Sequence, residues 1–233
     1  MNNEYFKNFI KGFLGIFAYL FFNFASVYLL QGLGVNVSEL TKKQSMFISM
    51  IISFIVLAIL IMLSWKKLKT NFKDYKSNWK TLLSKNVKYW FCSIAFMFAF
   101  NLAIALIFNR VTSANDQTIR NIFETMPIYI IFEAVILAPF TEELVFRQSL
   151  RYMIKNKWVF IILSGLIFGF MHTIASLETL ADFLYIIPYS IPGCFFAYML
   201  VEEDNILVPI SFHIIHNSLA LLLLVIGKIV GVA

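Results

Sequence analysis

The chain is a succession of uncharged apolar runs separated by short polar connections. Crossing a hydrocarbon core as a helix takes about 20 residues, and runs of that order occupy residues 12–38, 44–65, 89–109, 158–177, 183–201 and 205–227. A further stretch, 121–150, is apolar but interrupted by Glu124, Glu133, Glu142 and Glu143. Backbone amides in lipid must be satisfied within their own segment, and these runs are too long and too continuously apolar for barrel strands. The pattern predicts an all-α polytopic transmembrane helical bundle of about seven membrane helices, eight at most, with a buried polar site in its C-terminal half.

Composition agrees with this class. Sixty per cent of the 233 residues are hydrophobic and 14% are charged, against roughly 25% charged in soluble domains. The net charge of +6 does not point to nucleic acid. Lys66, Lys67, Lys69, Lys73, Lys76, Lys80, Lys85 and Lys88 face one acid, Asp74, within 65–88. That is the pattern of a cytoplasmic loop resting on anionic headgroups. If each run crosses once, the N-terminus is cytoplasmic, 34–43 and 110–120 lie outside, and Arg151, Lys155 and Lys157 fall inside, as the same rule requires.

Lys7 and Lys11 precede the first run in the manner of a signal peptide, but the run is long for one and no small-residue cleavage site follows, so it reads as a retained helix. Cys92 and Cys194 fall inside spans without metal or redox spacing and read as small buried hydrophobes.

The two halves differ in kind. Residues 1–110 read as N-terminal scaffold helices joined by the basic 65–88 loop, and Asn23 and Asn101 in them as interhelical hydrogen-bonders without chemistry. Residues 111–233 read as the functional core, because all three histidines, the intramembrane acids and all five prolines lie there. If 121–153 and 158–173 form an antiparallel hairpin turning at Lys155–Lys157, Glu142 and His172 both sit about 20 Å from the turn. In the last span, His213 and Asn217 lie about 12 and 18 Å inward of Asn205. Three helices thus deliver polar groups to one layer.

Residues four apart share a helix face. Glu143 can pair with Arg147 along its own helix, which leaves Glu142, turned by about 100°, to face something else. Phe168 and His172 are spaced the same way, as are His213 and Asn217. A carboxylate inside a membrane costs at least about 2.5 kcal/mol, so several such groups at one depth call for a function.

The set APFTEELVFR (138–147), FGFMH (168–172) and HIIHN (213–217) resembles the EExxxR, FxxxH and HxxxN motifs of the CPBP intramembrane proteases. This is the Abi or CAAX-protease family, related to the Ras-converting CAAX endopeptidase. The resemblance covers roughly 110–233. It implies a glutamate-type intramembrane endopeptidase in the cell membrane, acting on a membrane-associated peptide or protein. Carried over by motif position, Glu142 is the general base that activates water, His172 holds or polarises that water, and His213 and Asn217 stabilise the oxyanion. Glu143, Arg147 and Phe168 match supporting positions. His216 has no motif role; i,i+3 from His213, it is a packing residue or a partner behind the site. Gln148 follows Arg147 where the family commonly has glycine.

The chemistry of these side chains is compatible with those roles, since amide and imidazole N–H groups are competent oxyanion donors. No cofactor is implied. Two alternatives stay open. One is a zinc-dependent protease using Glu142, His172, His213 and His216, against which stand the lack of an HExxH sequence and the i,i+3 spacing of the nearest His pair. The other is a non-catalytic bacteriocin-immunity or scaffold protein of the membrane. The Lys, Ile, Asn and Phe bias points to an AT-rich bacterial genome, and the family resemblance then implies bacteriocin or quorum-sensing precursors as the expected substrates.

Overall fold

The computed structural model describes residues 3–110, 112–174, 177 and 179–231. It is built from helices, and no strand occurs among the described residues. In chain order they are α1 (Asn3–Gly32), α2 (Lys42–Phe108), α3 (Ala114–Thr125), α4 (Pro127–Phe132), α5 (Ala138–Glu143), α6 (Leu150–Met153), α7 (Lys157–Thr173), α8 (Leu180–Leu184), α9 (Ile186–Glu203) and α10 (Leu207–Val230). Among the described residues, α1, α2, the Leu180–Glu203 stretch and α10 are long and apolar enough to cross a membrane, and α7 is a shorter apolar helix. Large side chains such as Phe13, Phe17, Phe24, Leu106 and Ile107 stand on the outer surface, where a bilayer rather than water covers them. The chain is a multi-pass, all-α membrane bundle.

The 65–88 segment is a correction to the loop expected there. Helix α2 runs unbroken from its Thr41–Gln44 capping box to Asn109, which closes it in the left-handed conformation at φ 51°. Ser53 and Asn101 would stand about 72 Å apart on a straight helix, yet they line two cavities that share Glu133, Ala138 and Glu142. Helix α2 therefore doubles back, and the lysine-rich segment is the helical arch between two arms.

The arch is pinned to the turn between α9 and α10. Buried Asn71 donates to the Asp204 carbonyl at 3.0 Å and accepts from the Ile206 amide at 3.1 Å. Asn205 reaches back to the Asn71 carbonyl and to Asp74 at 2.8 Å, and Asn86 donates to Glu203 at 2.9 Å. Hydropathy registers these asparagines as loop residues; their partners make them clamps that satisfy the backbone at the start of α10.

Residues 127–153 form a helix interrupted twice by π turns, at Glu133–Leu137 and Leu144–Ser149. Such turns are commonly found at functional sites. In the first, the Ala138 N–H bonds to the Glu133 carbonyl, and Pro139 has no N–H to offer the next carbonyl, that of Ala134. In the second, the Phe146 carbonyl accepts from Ser164 of α7 at 2.5 Å.

Close backbone packing fixes α7 against α9. A Cβ on Gly165 would lie 2.9 Å from the Ser190 carbonyl oxygen, and one on Gly169 would lie 2.4 Å from that of Ile186, so only glycine permits this approach. The core beneath joins Leu144, Val145, Phe160, Phe168, Ala197 and Ile210. Two further expectations change here. The 110–120 connection contains most of α3, capped by Ser113 and Asp116, and Cys92 is exposed on the outer surface rather than buried, while Cys194 is partly buried.

Candidate active site

Glu142 is the penultimate residue of the regular segment α5, two residues before the second π turn, and its Oε2 is buried without a hydrogen-bond partner in the protein. His172, from the end of α7, places Nε2 at 3.8 Å from that oxygen, and His213 of α10 places Nε2 at 3.7 Å. Both separations exceed a hydrogen bond. The two rings approach one carboxylate from different helices.

The far edges of both rings are occupied. His172 Nδ1 lies 2.9 Å from the Phe168 carbonyl, which can only accept, so Nδ1 carries the proton. His213 Nδ1 lies 2.9 Å from Glu143 Oε1 and likewise donates. In the neutral rings both Nε2 lone pairs then face Glu142, a tautomer set by the partners behind each ring.

Glu143 and Arg147 are fully buried and form an ion pair at 3.1 Å. Glu143 is more than a counter-ion, because its second oxygen holds His213. The Arg147 guanidinium lies 4.4 Å from the Phe168 ring and 5.7 Å from the Phe196 ring, and donates to the Gly193 carbonyl at 3.4 Å. Phe168 thus sits between Arg147 and His172, whose ring centroid is 4.2 Å from its own. These contacts lock the rotamers of the two histidines.

Asn217 lines the same cavity, but its amide nitrogen is bonded to the Ala134 carbonyl at 2.7 Å, the acceptor that Pro139 leaves without a donor. It is not hydrogen-bonded to Glu142, and one N–H remains free. His216 also borders the cavity, with its ring edge-on to Phe196 and Nδ1 buried without a partner. Among the described residues, no group of three His, Cys, Asp or Glu side chains is gathered as a ready metal site.

Two contributors escaped the sequence. Tyr189 stacks on His172 at 5.1 Å, and its hydroxyl meets Ser113 at 2.7 Å, Asp116 at 3.1 Å and Asn115 at 3.2 Å, tying α3 to the site. It lies between Pro188 and Pro192 in an apolar run and carries no motif signal. Glu133 borders both cavities beside Glu142 and accepts from Ser53 at 3.0 Å; as an acid inside a span, it was the detectable one. The cavity in front of the histidines holds about 410 Å³ and is walled by α2, α3, α9 and α10.

Residues 124–219 match the family described as Type II CAAX prenyl endopeptidase Rce1-like. Over this stretch, which is less than half of the chain, the sequence is similar to that family. Glu142, Glu143, Arg147, Phe168, His172, His213 and Asn217 all fall inside the matched residues. A Bacillus subtilis (strain 168) protein named "Putative membrane peptidase YdiL" is 27% identical over 114 residues, which span 48% of this chain and 43% of that protein. The match therefore covers less than half the length of this relative. No solved structure matches the chain.

Proposed function

We propose that the protein is a glutamate-type intramembrane endopeptidase that hydrolyses a peptide bond in a membrane-associated protein or peptide. The observation that carries this reading is the placement of Glu142 Oε2 at 3.7 and 3.8 Å from two imidazole Nε2 atoms whose Nδ1 edges are held from behind. Separations of this kind suit a bridging water. Glu142 takes a proton from that water as its oxygen attacks the substrate carbonyl carbon, and later returns it to the departing amine. His172 orients the water. The proton that Glu142 takes passes to His213 Nε2, which then donates to the oxyanion beside the free N–H of Asn217, and it returns through Glu142 to the amine.

The Rce1-like match and the peptidase relative support the reaction class. The apolar cavity suits an extended peptide entering from the membrane. The lysine arch supports a cytoplasmic N-terminus by the positive-inside rule, and bacterial peptide precursors remain the substrate class of choice. Glu142→Gln in proteoliposomes should abolish cleavage of a fluorogenic membrane peptide while the protein keeps its monodispersity and thermal midpoint. Retained cleavage removes Glu142 as the base. Retained physiological effect without cleavage favours the immunity or scaffold role.

A zinc site is a second reading, because two nitrogen lone pairs converging on a carboxylate are the donors of a catalytic zinc. Tetrahedral bonds of about 2.0–2.1 Å separate ligand atoms by about 3.3 Å, shorter than the distances here, so the groups must close in on the ion. Metal analysis of purified protein, with cleavage measured in chelator, separates the two.

A further inference from the structure

Glu142 borders a second cavity of about 290 Å³, on the side of α1 and the first arm of α2. Its polar lining is Tyr19, Asn23 and Ser26 from α1, Ser49 and Ser53 from α2, and Glu133 and Thr141 beside Glu142. Ser26 and Asn23 lie about 9 and 14 Å from the end of α1, and Ser49 and Ser53 about 11 and 17 Å from the start of α2. The side chains therefore descend in matched pairs from the 33–41 connection toward Glu142. Scattered through spans otherwise made of Phe, Ile and Leu, they meet only because the two helices are antiparallel.

Three buried oxygens without a protein partner border this one cavity: Glu133 Oε2, Thr141 Oγ1 and Glu142 Oε2. Native interiors rarely leave such atoms unsatisfied unless water reaches them. A water takes about 30 Å³ and needs two to four polar partners, and the cavity supplies room and partners for several. An acyl chain in the same place would leave every one of these oxygens unsatisfied.

We propose that this cavity is a solvent antechamber that conducts water from the face bearing the 33–41 connection to Glu142, separate from the cavity that takes the substrate. Its catalytic meaning rests on the hydrolase reading above, since each cleavage consumes one water within the membrane. Glu133, which borders both cavities and is held by Ser53, positions water at their junction.

Cysteine accessibility tests the antechamber without measuring activity. In full-length protein with Cys92→Ser and Cys194→Ala, single Ser26→Cys, Ser49→Cys or Ser53→Cys variants are reconstituted and treated with a charged methanethiosulfonate. The reagent needs a thiolate, which hydrocarbon suppresses, so these positions should react about a hundredfold faster than Leu29→Cys and Phe47→Cys on the outer surface. Equal, slow rates at all five positions, or reaction at 26, 49 and 53 with a lipophilic maleimide only, overturn the proposal. As a second measurement, Ser49→Leu should lower kcat with KM unchanged, and an unchanged kcat counts against it. Labelling at 26, 49 and 53 in a protein whose Glu142→Gln variant still cleaves removes Glu142 as the base and leaves the antechamber standing. The reverse pattern does the opposite.

Discussion

His213 lies between the two adjacent glutamates, with Nδ1 hydrogen-bonded to Glu143 at 2.9 Å and Nε2 3.7 Å from Glu142 on the opposite edge of its ring. Consecutive helix positions point about 100° apart, so neighbouring carboxylates can bracket one imidazole supplied by another helix. The Glu143 carboxylate is shared between His213 and Arg147. Removing it strips a buried cation of its partner as well as freeing a histidine.

Glu143→Ala should therefore cost about 3–5 kcal/mol, the usual consequence of breaking a buried ion pair from one side. Glu143→Leu combined with Arg147→Met should recover most of that stability, because no buried charge is left uncompensated. Cleavage should stay low in the double variant, since His213 Nδ1 has lost its acceptor. Thermal unfolding in detergent beside a cleavage assay checks both parts; a double variant that is stable and fully active limits Glu143 to charge balance.

Tyr189 couples α3 to His172, and its ring and hydroxyl do different jobs. Tyr189→Phe keeps the stack on His172 but gives up the contacts to Ser113, Asn115 and Asp116. At about 1 kcal/mol net per lost hydrogen bond, α3 should loosen, and limited proteolysis near 113 should quicken. KM should rise more than kcat falls, because α3 walls the substrate cavity while the histidine stays stacked.

The motif residues were legible because each chemical requirement left a charge or an imidazole in an apolar run, where it cannot be accidental. Hydropathy also found the arms of α2 but ended them too soon, since a helix that leaves the bilayer stays helical while becoming polar. The π turns were invisible, because their register depends on what Ser164 and Asn217 offer from other helices. Ser26, Ser49 and Ser53 leave no signal in the hydropathy pattern for a similar reason, and Asn23 reads there only as an interhelical hydrogen-bonder. Singly they are unremarkable; their alignment exists only in three dimensions.

Asp74 lies on the arch, outside the spans, where hydrogen bonds from Asn205 and Asn78 hold its carboxyl below the usual carboxylate range. A depressed folded value means the contribution is fully present above the unfolded pKa of about 3.9 and is lost as pH falls through the folded value. The thermal midpoint of the wild type should therefore drop more steeply than that of Asp74→Asn between about pH 5 and pH 2. Parallel pH profiles would show that the clamp between the arch and the α9–α10 turn does not depend on this charge.

Asn217 occupies a motif position to which an oxyanion role belongs by resemblance, yet its amide is bonded to the Ala134 carbonyl. Pro139 is the reason that carbonyl lacks a backbone donor. Asn217→Ala should cost about 1–3 kcal/mol, the penalty of a buried acceptor left unmade. Pro139→Ala supplies an N–H five residues beyond Ala134, in the π register, so the same Asn217→Ala change should cost less stability in that background. Activity separates the two roles. If Asn217 serves only to cap Ala134, the double variant recovers cleavage along with stability. If its free N–H meets the oxyanion, the double variant is stable and kcat stays down by about a hundredfold, the scale of losing one oxyanion donor. Unfolding midpoints and kcat for the four proteins of this cycle decide between them, and the second outcome is the one expected.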